Sequence, residues 1–539
     1  MSGGWLDRHH RPGGRLPFGL SVATVLVSAI VLVPLIFLVV QAVQVGWAEL
    51  RHLLFRHLTA VLVWNTVSLV VVVTVLCAIV GTLAAWFVER TDLPGRRWFT
   101  VLLVIPLGIP DFVVSFGWKG IFPSIGGFWA AVLVMSLAVY PLVFLPVAAS
   151  LRSADPAQEE VARSLGLGRV RTFWTVTVGQ ARVAILGGAI LVGLVVLAEF
   201  GAFEILGYQT LTTEIYNEFQ VGFNESAACA LSLILVLLGA GLLASEDMVR
   251  GKGRTARLGS GAARRLRPAP LGRARPVALA GLALLVLLAL GVPVGAILYL
   301  IAQGGQSTLP PASLWIAAGN TFAYGAAAGI VATLAALPIA LLSVRFGRSG
   351  VRALERVNMI VLAVPGLVIA LSLTYMTEHF LQGRFYLTDP LLVLAYAIMF
   401  FPLAIVSVRA AIARAPVGLE EVGRSLGVHR HSVTWRVTVP LVAPGLAAAF
   451  ALVFLETATE LTATLVLHPT NVETLATQFW AYQSNGSYSQ AAIYAGAMVL
   501  IAAVPGYVLG RWFDRQPERI SQPGVVALSG AERHLEAAA

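Results

Sequence analysis

The charged octapeptide Glu-Glu-Val-Ala-Arg-Ser-Leu-Gly at residues 159–166 returns at residues 420–427 as Glu-Glu-Val-Gly-Arg-Ser-Leu-Gly, 261 positions later. Each copy is followed at the same distance by Val-Thr-Val, at residues 176–178 and 437–439. Both copies are polar inserts between long apolar segments. The repeat predicts a duplicated membrane protein with two equivalent docking points for a partner outside the membrane.

Composition places the chain among membrane proteins. Of its 539 residues, 58% are hydrophobic and only 12% are charged, and that charged share is about half the soluble average. The net charge of +10 is accounted for by where the basic residues fall, so no nucleic-acid partner is predicted. Cys77 and Cys229 lie in separate apolar runs and are interpreted as small core residues.

Twelve apolar stretches are long enough to cross a bilayer core, which needs about 20 residues of helix. They cover residues 17–45, 59–88, 98–118, 127–151, 181–201, 225–245, 276–302, 315–344, 355–377, 388–412, 441–466 and 488–512. Prolines interrupt the third (Pro106 and Pro110) and the ninth (Pro365), and such breaks are tolerated where neighbouring helices satisfy the backbone. The predicted fold is an all-α integral membrane protein, with twelve transmembrane helices in two homologous six-helix halves.

The distribution of basic residues sets the predicted orientation. If the N-terminus lies in the cytoplasm and the chain alternates, the other side holds only Arg51, Arg56, Lys119 and Arg384 of the 37 Lys and Arg residues. This asymmetry follows the positive-inside rule, and one missed or extra span would destroy it. Both termini and both octapeptides are therefore predicted to be cytoplasmic.

The repeat divides the chain into four parts. We predict a first half at residues 1–245, a basic cytoplasmic linker at 246–275, a second half at 276–513 and a C-terminal tail at 514–539. The charge of the linker is interpreted as topology-setting and as contact with anionic membrane lipid. A regulatory role for the linker is the alternative.

Each loop that carries an octapeptide, about residues 155–180 and 415–440, is predicted to form a short helix, a sharp glycine turn and a second short helix. Proline near the start suits a first helical turn, and the final glycine can adopt the left-handed conformation. An amphipathic helix on the membrane surface is the alternative, but two copies with one spacing favour a docking element. The residues predicted to serve that docking are Glu160, Arg163, Gly166, Glu421, Arg424 and Gly427.

This pattern resembles the EAA loop of the permeases of binding-protein-dependent ABC importers, in which a Glu-Ala-Ala triplet is followed by Gly six residues after the Glu. Both octapeptides keep that spacing, and the second loop ends in Val439-Pro440 as the family does. The first loop departs from the family, because Gly179 stands where proline is expected, and the alanines are altered in both copies. The resemblance covers essentially the whole chain.

The resemblance implies a type I ABC importer (MetI-like) fold. In that family each loop forms a coupling helix seated in a cleft of one ATP-binding subunit, and closure of the two ATPases switches the permease between inward-open and outward-open states. One fused chain is expected to supply both halves here. The implied partners are two copies of an ABC ATP-binding subunit and an extracytoplasmic substrate-binding protein, and the implied location is the bacterial cytoplasmic (inner) membrane.

The chain is not expected to be an enzyme. It contains no Gly-x-x-x-x-Gly-Lys-[Ser/Thr] loop, and neither of its two lysines, Lys119 and Lys252, has that context. ATP and Mg²⁺ are therefore expected on the partner ATPase, with no cofactor bound by this chain and no catalytic residue in it. An ion-driven secondary transporter, which can also have twelve spans in two halves, is the alternative that the repeated loops disfavour.

The ends of the fifth and eleventh spans resemble those of fused ferric-iron importer permeases, at residues 197–202 with 212–216 and at residues 460–469 with 474–477. The resemblance implies ferric iron as the substrate. Permeases for thiamine, phosphonate and polyamine share the architecture and parts of these segments, so those substrates are the alternatives.

Acidic residues near these ends are compatible with a cation. A charge at the membrane centre costs about 3 kcal/mol on insertion scales, so carboxylates held there are candidates for a transport pathway, and their oxygens suit hard ions such as ferric iron. Helix capping and contact with the binding protein are the alternatives. The candidates are Asp111, Glu199, Glu456 and Glu460, and no permanent metal site is assigned because a permease needs transient contact.

Overall fold

The computed structural model describes residues 18–153, 156–250, 269–304, 312–346, 349–415 and 417–514, the last range without positions 428, 430, 431, 433–435 and 437. Within these ranges every regular element is a helix, apart from one isolated bridge between Thr91 and Ala269. The predicted all-α class is therefore confirmed. A chain in hydrocarbon must satisfy its own backbone hydrogen bonds, and a helix does so within one segment.

The helices are numbered here in chain order. Before the linker they are α1 (Phe18–Val45), α2 (Trp47–Leu54), α3 (His57–Arg90), α4 (Arg96–Leu102), α5 (Asp111–Ile121), α6 (Gly127–Val139), α7 (Pro141–Ser153), α8 (Pro156–Ser164), α9 (Arg169–Thr172), α10 (Val178–Ala198), α11 (Gly201–Leu206), α12 (Leu211–Gln220) and α13 (Glu225–Arg250). After it they are α14 (Arg275–Val286), α15 (Val292–Gln303), α16 (Ala312–Phe346), α17 (Ser349–Met359), α18 (Gly366–Phe380), α19 (Asp389–Met399), α20 (Phe401–Arg414), α21 (Val417–Ser425), α22 (Val439–Ala458), α23 (Thr462–Leu467), α24 (Leu475–Ser484) and α25 (Tyr488–Asp514).

The described helices account for eleven of the twelve predicted spans, three of them in bent form. Eight stretches are long and apolar enough to cross a membrane, and three bent helix pairs bring that number to eleven. The third span bends by 97° before α5 and the ninth by 103° before α18, where Pro110 and Pro365 remove a backbone donor. The twelfth predicted span is α25, whose described apolar part Tyr488–Ala502 is shorter, so the count of twelve stays a prediction.

The fifth and eleventh spans end earlier than the sequence indicated. We predicted them to reach residues 201 and 466, whereas α10 ends at Ala198 and α22 at Ala458. The chain turns at Glu199, which has extended backbone angles, and then forms the short helices α11 and α12. The second half repeats this arrangement with α23 and α24, and both α12 and α24 begin with a threonine capping box, at Thr210 and Thr474.

The two halves interlock by exchanging helices. One hydrophobic core combines α3, α5, α6 and α7 of the first half with α14, α15 and α25 of the second. The other core combines α1 and α13 of the first half with α16, α18, α19, α20 and α22 of the second. Each half therefore completes a core that belongs mostly to the other half.

Close contacts fix the exchanged helices. Asn358 Nδ2 donates to Ser28 Oγ at 2.8 Å and joins α17 to α1. On the other side, α5 approaches α15 so closely that a Cβ added to Gly117 would lie 2.8 Å from Pro293 Cα. Only glycine permits that approach of two backbones. Because both contacts cross between the halves, the halves form one unit.

Candidate functional site

The first repeated loop has the predicted helix, glycine turn and second helix. After α8, Gly166 N–H donates to Arg163 O at 3.0 Å and Leu167 N–H donates to Ala162 O at 3.1 Å. This pair of bonds is a Schellman C-cap, which needs a left-handed residue, and Gly166 has φ +84°. An added Cβ at Gly166 would meet nothing within 4 Å, so the backbone conformation alone selects glycine here.

The second loop repeats this geometry. Gly427 follows α21 with φ +79°, and a Cβ added there would also meet nothing within 4 Å. Leu426 N–H donates to Val422 O at 3.1 Å, as Leu165 N–H donates to Val161 O at 3.0 Å in the first loop. The predicted glycine turns are therefore confirmed in both loops.

Each octapeptide leaves two apolar side chains exposed. Val161 and Leu165 are 56% and 76% exposed, and Val422 and Leu426 have the same values. Exposed apolar side chains grouped among polar ones mark a contact surface. We call these four residues the apolar contacts of the loops. Sequence reasoning selected the charged residues and missed this set, although the spacing of four residues in both copies is visible in the sequence.

The first glutamate of the first octapeptide is turned inward. Glu159 Oε1 accepts a hydrogen bond from Thr177 Oγ1 at 3.1 Å and lies 3.5 Å from Arg90 Nη2. Arg163 Nη2 is 3.9 Å from the other carboxylate oxygen of Glu159, and its side chain is otherwise exposed. The side chain of Glu160, which the sequence favoured as a docking residue, lies outside the described side chains.

The second octapeptide places its first glutamate in the same way. Glu420 Oε1 accepts from Arg345 Nη2 at 2.7 Å and from Thr438 Oγ1 at 3.0 Å. The side chains of Glu421 and Arg424 lie outside the described side chains, so their predicted docking role stays a prediction. Sequence reasoning missed the role of the first glutamate because its arginine partner is distant in the chain.

The end of the linker packs beside the first loop. Ala269 N–H donates to Arg90 O at 2.9 Å, and Asp92 N–H donates to Ala269 O at 3.2 Å. Asp92 Oδ1 accepts from Leu271 N–H at 2.8 Å. A cavity of about 170 Å³ separates this linker segment from the loop. Residues 251–268 of the linker lie outside the described residues, and the predicted lipid contact of the linker stays a prediction.

The four carboxylates selected from the sequence lie near one another at the broken ends of the spans. Asp111 begins α5 and interacts electrostatically with Glu199 and Glu456, and Glu199 interacts with Glu460. The side chain of Glu456 is exposed and the other three are partly exposed. All four side chains therefore keep some exposed surface, although they lie at the ends of membrane helices.

Glu199 and Glu460 hold equivalent positions, and each caps a short helix. Glu199 Oε1 accepts from Ala202 N–H at 2.7 Å at the start of α11. Glu460 accepts from Ala463 N–H at 3.1 Å and from Thr464 N–H at 3.2 Å at the start of α23. These carboxylates satisfy helix N–H groups that have no partner within the helix. Capping, one of the alternatives for these residues, is therefore part of their role.

Asp111 and Glu456 differ from the two capping glutamates. Among the described residues, neither carboxylate has a hydrogen bond or an ion pair. An unpaired charge at membrane depth is costly and marks a functional position. No group of three or more His, Cys, Asp or Glu side chains in the described ranges is placed to hold a metal ion. Asp111 and Glu456 therefore stay candidates for transient contact with a solute.

Replacing Glu460 with alanine is expected to destabilise the protein by about 1 kcal/mol, the usual cost of losing an N-terminal capping group. Glu460→Gln is the matched control, because glutamine keeps an oxygen that can accept from the helix N–H groups. The thermal unfolding midpoint in detergent measures the difference. Equal midpoints for the alanine variant and the original protein would contradict the capping role.

The loop after the fifth span carries further acidic residues. Arg56 Nη2 donates to Glu218 Oε1 at 2.8 Å and neutralises one of them. Partial burial raises the pKa of Glu214, nearby Glu218 raises it further, and Arg56 lowers it. Burial likewise raises the pKa of Glu204. The pair of Arg56 with Glu218 therefore offsets part of the negative charge of this region.

Comparison with known proteins identifies the family. The family model described as "binding-protein-dependent transport system inner membrane component" matches residues 77–250 and again residues 334–519. The chain is 34% identical over 501 residues to the Fe(3+)-transport system permease protein FbpB 2 of Haemophilus influenzae. The aligned region covers 92% of this chain and 99% of that protein. One family match lies in each half of the chain.

Two further relatives match a smaller part of the chain. The sulfate transport system permease protein CysT of Escherichia coli is 26% identical over 268 residues, covering 46% of this chain and 95% of that protein. The molybdenum transport system permease protein ModB of Escherichia coli is 30% identical over 195 residues, covering 32% of this chain and 84% of that protein. The chain belongs to the family of binding-protein-dependent transport system inner membrane components, as an ABC importer permease in which the family domain is present twice.

Proposed function

We infer that this chain supplies both halves of the permease of an importer for ferric iron, driven by two separate ATPase subunits. Each ATPase docks on one repeated loop, and an extracytoplasmic binding protein delivers the iron from the other side. In this arrangement residues 1–245 and 276–513 act as the two halves, and both termini lie in the cytoplasm of the bacterial cell.

The docking proposal rests on one observation, which is that the apolar contacts of the two loops are equally exposed. Exposed apolar side chains grouped among polar ones mark a contact surface, and the same surface at one spacing in two loops favours docking over an amphipathic helix on the membrane. Here Val161 and Leu165, and their counterparts in the second loop, are open in both copies to the same extent. Burying such side chains in a cleft of a partner stabilises the contact by about 25 cal/mol per Å² of apolar surface.

ATP and Mg²⁺ are proposed to bind to the partner subunits. The sequence has no glycine-rich phosphate loop that ends in Lys-[Ser/Thr]. The energy of ATP hydrolysis must then reach the substrate pathway through the two loops. This chain contributes the pathway and the loops, and the ATPases contribute the chemical step.

Ferric iron is the proposed substrate for two reasons. The relative that matches over 92% of the chain is named as an Fe(3+)-transport system permease protein. In addition, Asp111 and Glu456 lie close enough to interact electrostatically and have no hydrogen-bond partner among the described residues, and carboxylate oxygens are favoured ligands of hard cations. The same negative charges would repel an anionic substrate. The proposed substrate therefore differs from sulfate and molybdenum, which are named for the shorter relatives.

The test is transport by the complex purified with its ATPase and binding protein and reconstituted into liposomes. We expect radioactive ferric iron, presented on the binding protein, to accumulate only when ATP reaches the ATPase side. Sulfate, molybdate, thiamine, phosphonate and polyamine serve as competing substrates. Uptake that persists without ATP and collapses with the proton or sodium gradient would contradict the proposal and support a secondary transporter. Preferred uptake of a competing substrate would overturn the assignment to iron.

A further inference from the structure

We propose that the inward-facing glutamate of each octapeptide is the centre of a coupling joint, which passes movement of the loop to two membrane-spanning helices. The first coupling joint is Arg90–Glu159–Thr177, and the second is Arg345–Glu420–Thr438. This inference rests on the proposed function, because it names the residues that transmit movement imposed by the ATPases.

Each coupling joint connects three separate segments. In the first half, Arg90 is the last residue of α3, Glu159 lies in α8, and Thr177 immediately precedes α10. In the second half, the arginine comes from the last turn of α16, the glutamate from α21, and the threonine directly precedes α22. The glutamate therefore ties the loop helix both to the end of the second span of its half and to the beginning of the fifth span.

One carboxylate oxygen makes both connections, through two hydrogen bonds in the second joint and through one hydrogen bond and a 3.5 Å ion pair in the first. In the second coupling joint, Glu420 Oε1 accepts from Arg345 at 2.7 Å and from Thr438 at 3.0 Å. A shared acceptor couples the positions of its two donors, because neither can move alone without lengthening its own bond. Hydrogen bonds to charged groups are also the stronger ones. Movement of the loop helix is thus transferred directly to both spans.

The charged side chains of each coupling joint are mostly buried. The side chains of Arg90 and Glu159 are only 7% and 6% exposed, and those of Arg345 and Glu420 are 14% and 20% exposed. An ion pair out of water is screened much less than a surface pair. Losing one partner leaves the other charge buried without compensation, which is strongly unfavourable. The joint therefore stays closed while the loop is pushed.

The coupling joints explain why the octapeptide and Val-Thr-Val recur in both halves at the same distance from each other. The threonine of Val-Thr-Val lies 18 residues after the inward glutamate in both halves. The glycine turn between them reverses the chain so that these two residues meet. A docking surface alone needs no threonine at that distance, whereas a closed joint does.

The second half offers the cleaner test. In the first half, Gln180 Nε2 donates to Gln158 Oε1 at 2.7 Å and adds another link between the loop helix and α10. Residue 441, the position equivalent to Gln180 in the second half, is leucine, which cannot make this bond. Substitutions at Glu420 should therefore open the second joint, because no glutamine pair of this kind holds the loop helix to α22 there.

The experiment measures iron ions transported per ATP hydrolysed by the reconstituted complex carrying Glu420→Gln. We expect the ATPase to remain bound and to hydrolyse ATP, while the transport per ATP falls about tenfold, within the usual range of coupling between sites. Thr438→Val should cause a smaller loss in the same direction. Exchanging the charges in the pair Arg345→Glu with Glu420→Arg should restore part of the transport that either single change removes.

Arg152→Gln is the matched control. Its guanidinium pairs with Glu89 at 2.7 Å between α7 and α3, so the variant loses a charge near the same edge without removing a member of either coupling joint. We expect its transport per ATP to be unchanged. An equal loss in this control would overturn the inference, because any local loss of charge would then suffice.

Three other results would also overturn it. One is normal transport per ATP in Glu420→Gln. Another is loss of ATPase binding in that variant, which would make Glu420 a docking residue. A third is failure of both the single and the charge-exchanged variants to fold, which would make the joint a stability element. Failure of the proposed function is seen separately, because the unmodified complex would then show no ATP-driven transport.

Discussion

Replacing both Gly166 and Gly427 with valine is expected to abolish coupled transport while the chain still inserts into the membrane. The two glycines have φ of +84° and +79°, and a non-glycine residue held in that region costs about 1–3 kcal/mol, most for a β-branched one. No neighbouring atom lies within 4 Å of a Cβ added at either position. The change therefore acts through the backbone, by unfolding the turn that orients the apolar contacts.

The measurement is ATP-driven uptake by reconstituted complexes, with membrane insertion followed separately. We expect at least about a tenfold loss in the double valine variant, the range that coupling energies between sites commonly span. Double substitution with asparagine is the matched control, because asparagine tolerates the left-handed region better than valine. Each single valine variant should retain more transport than the double one. Full uptake by the double valine variant would contradict the role of these turns.

Neutralising the two unpaired carboxylates, by Asp111→Asn with Glu456→Gln, is expected to reduce ferric iron uptake by about tenfold or more, equivalent to about 1.4 kcal/mol of lost interaction. Both substitutions keep the size of the side chain and remove only its charge. A trivalent cation that crosses a membrane needs negative groups to offset its lost hydration. ATPase docking should not change, because both residues lie apart from the repeated loops.

Glu199→Gln with Glu460→Gln separates charge from capping at the neighbouring positions. Glutamine can still accept hydrogen bonds from Ala202 N–H and from Ala463 N–H, so the N-termini of α11 and α23 should remain capped. If these variants lose as much uptake as the first pair, the total charge of the four carboxylates matters. Normal iron uptake after neutralising Asp111 and Glu456 would contradict their place on the pathway.

Local features of the fold could be predicted from the sequence. The two glycine turns depend on a residue type at a helix end, and the bends before α5 and α18 depend on Pro110 and Pro365. Both effects act within a few residues, so they are visible in the linear chain. The apolar stretches likewise predict the spans, because hydrocarbon imposes one solution on the backbone.

Features that depend on distant contacts could not be predicted. The inward role of Glu420 requires Arg345, which lies 75 residues earlier, and hydrophobic pattern gives no sign of that pairing. The exchange of helices between the halves could not be predicted either. All faces of a spanning helix are apolar, so its sequence does not show which face packs against which partner. The early end of α10 was missed because Glu199 lies within a continuous apolar run and its capping bond forms only after the chain turns.

The composition of the complex tests the central claim most directly. The chain should be extracted in mild detergent from its native membrane, and the intact assembly should be weighed by native mass spectrometry. Two ATP-binding subunits for one copy of this chain is the result we expect, because two equivalent loops are present in one polypeptide. An intact assembly with no ATPase, or with two copies of this chain for two ATPases, would contradict the account.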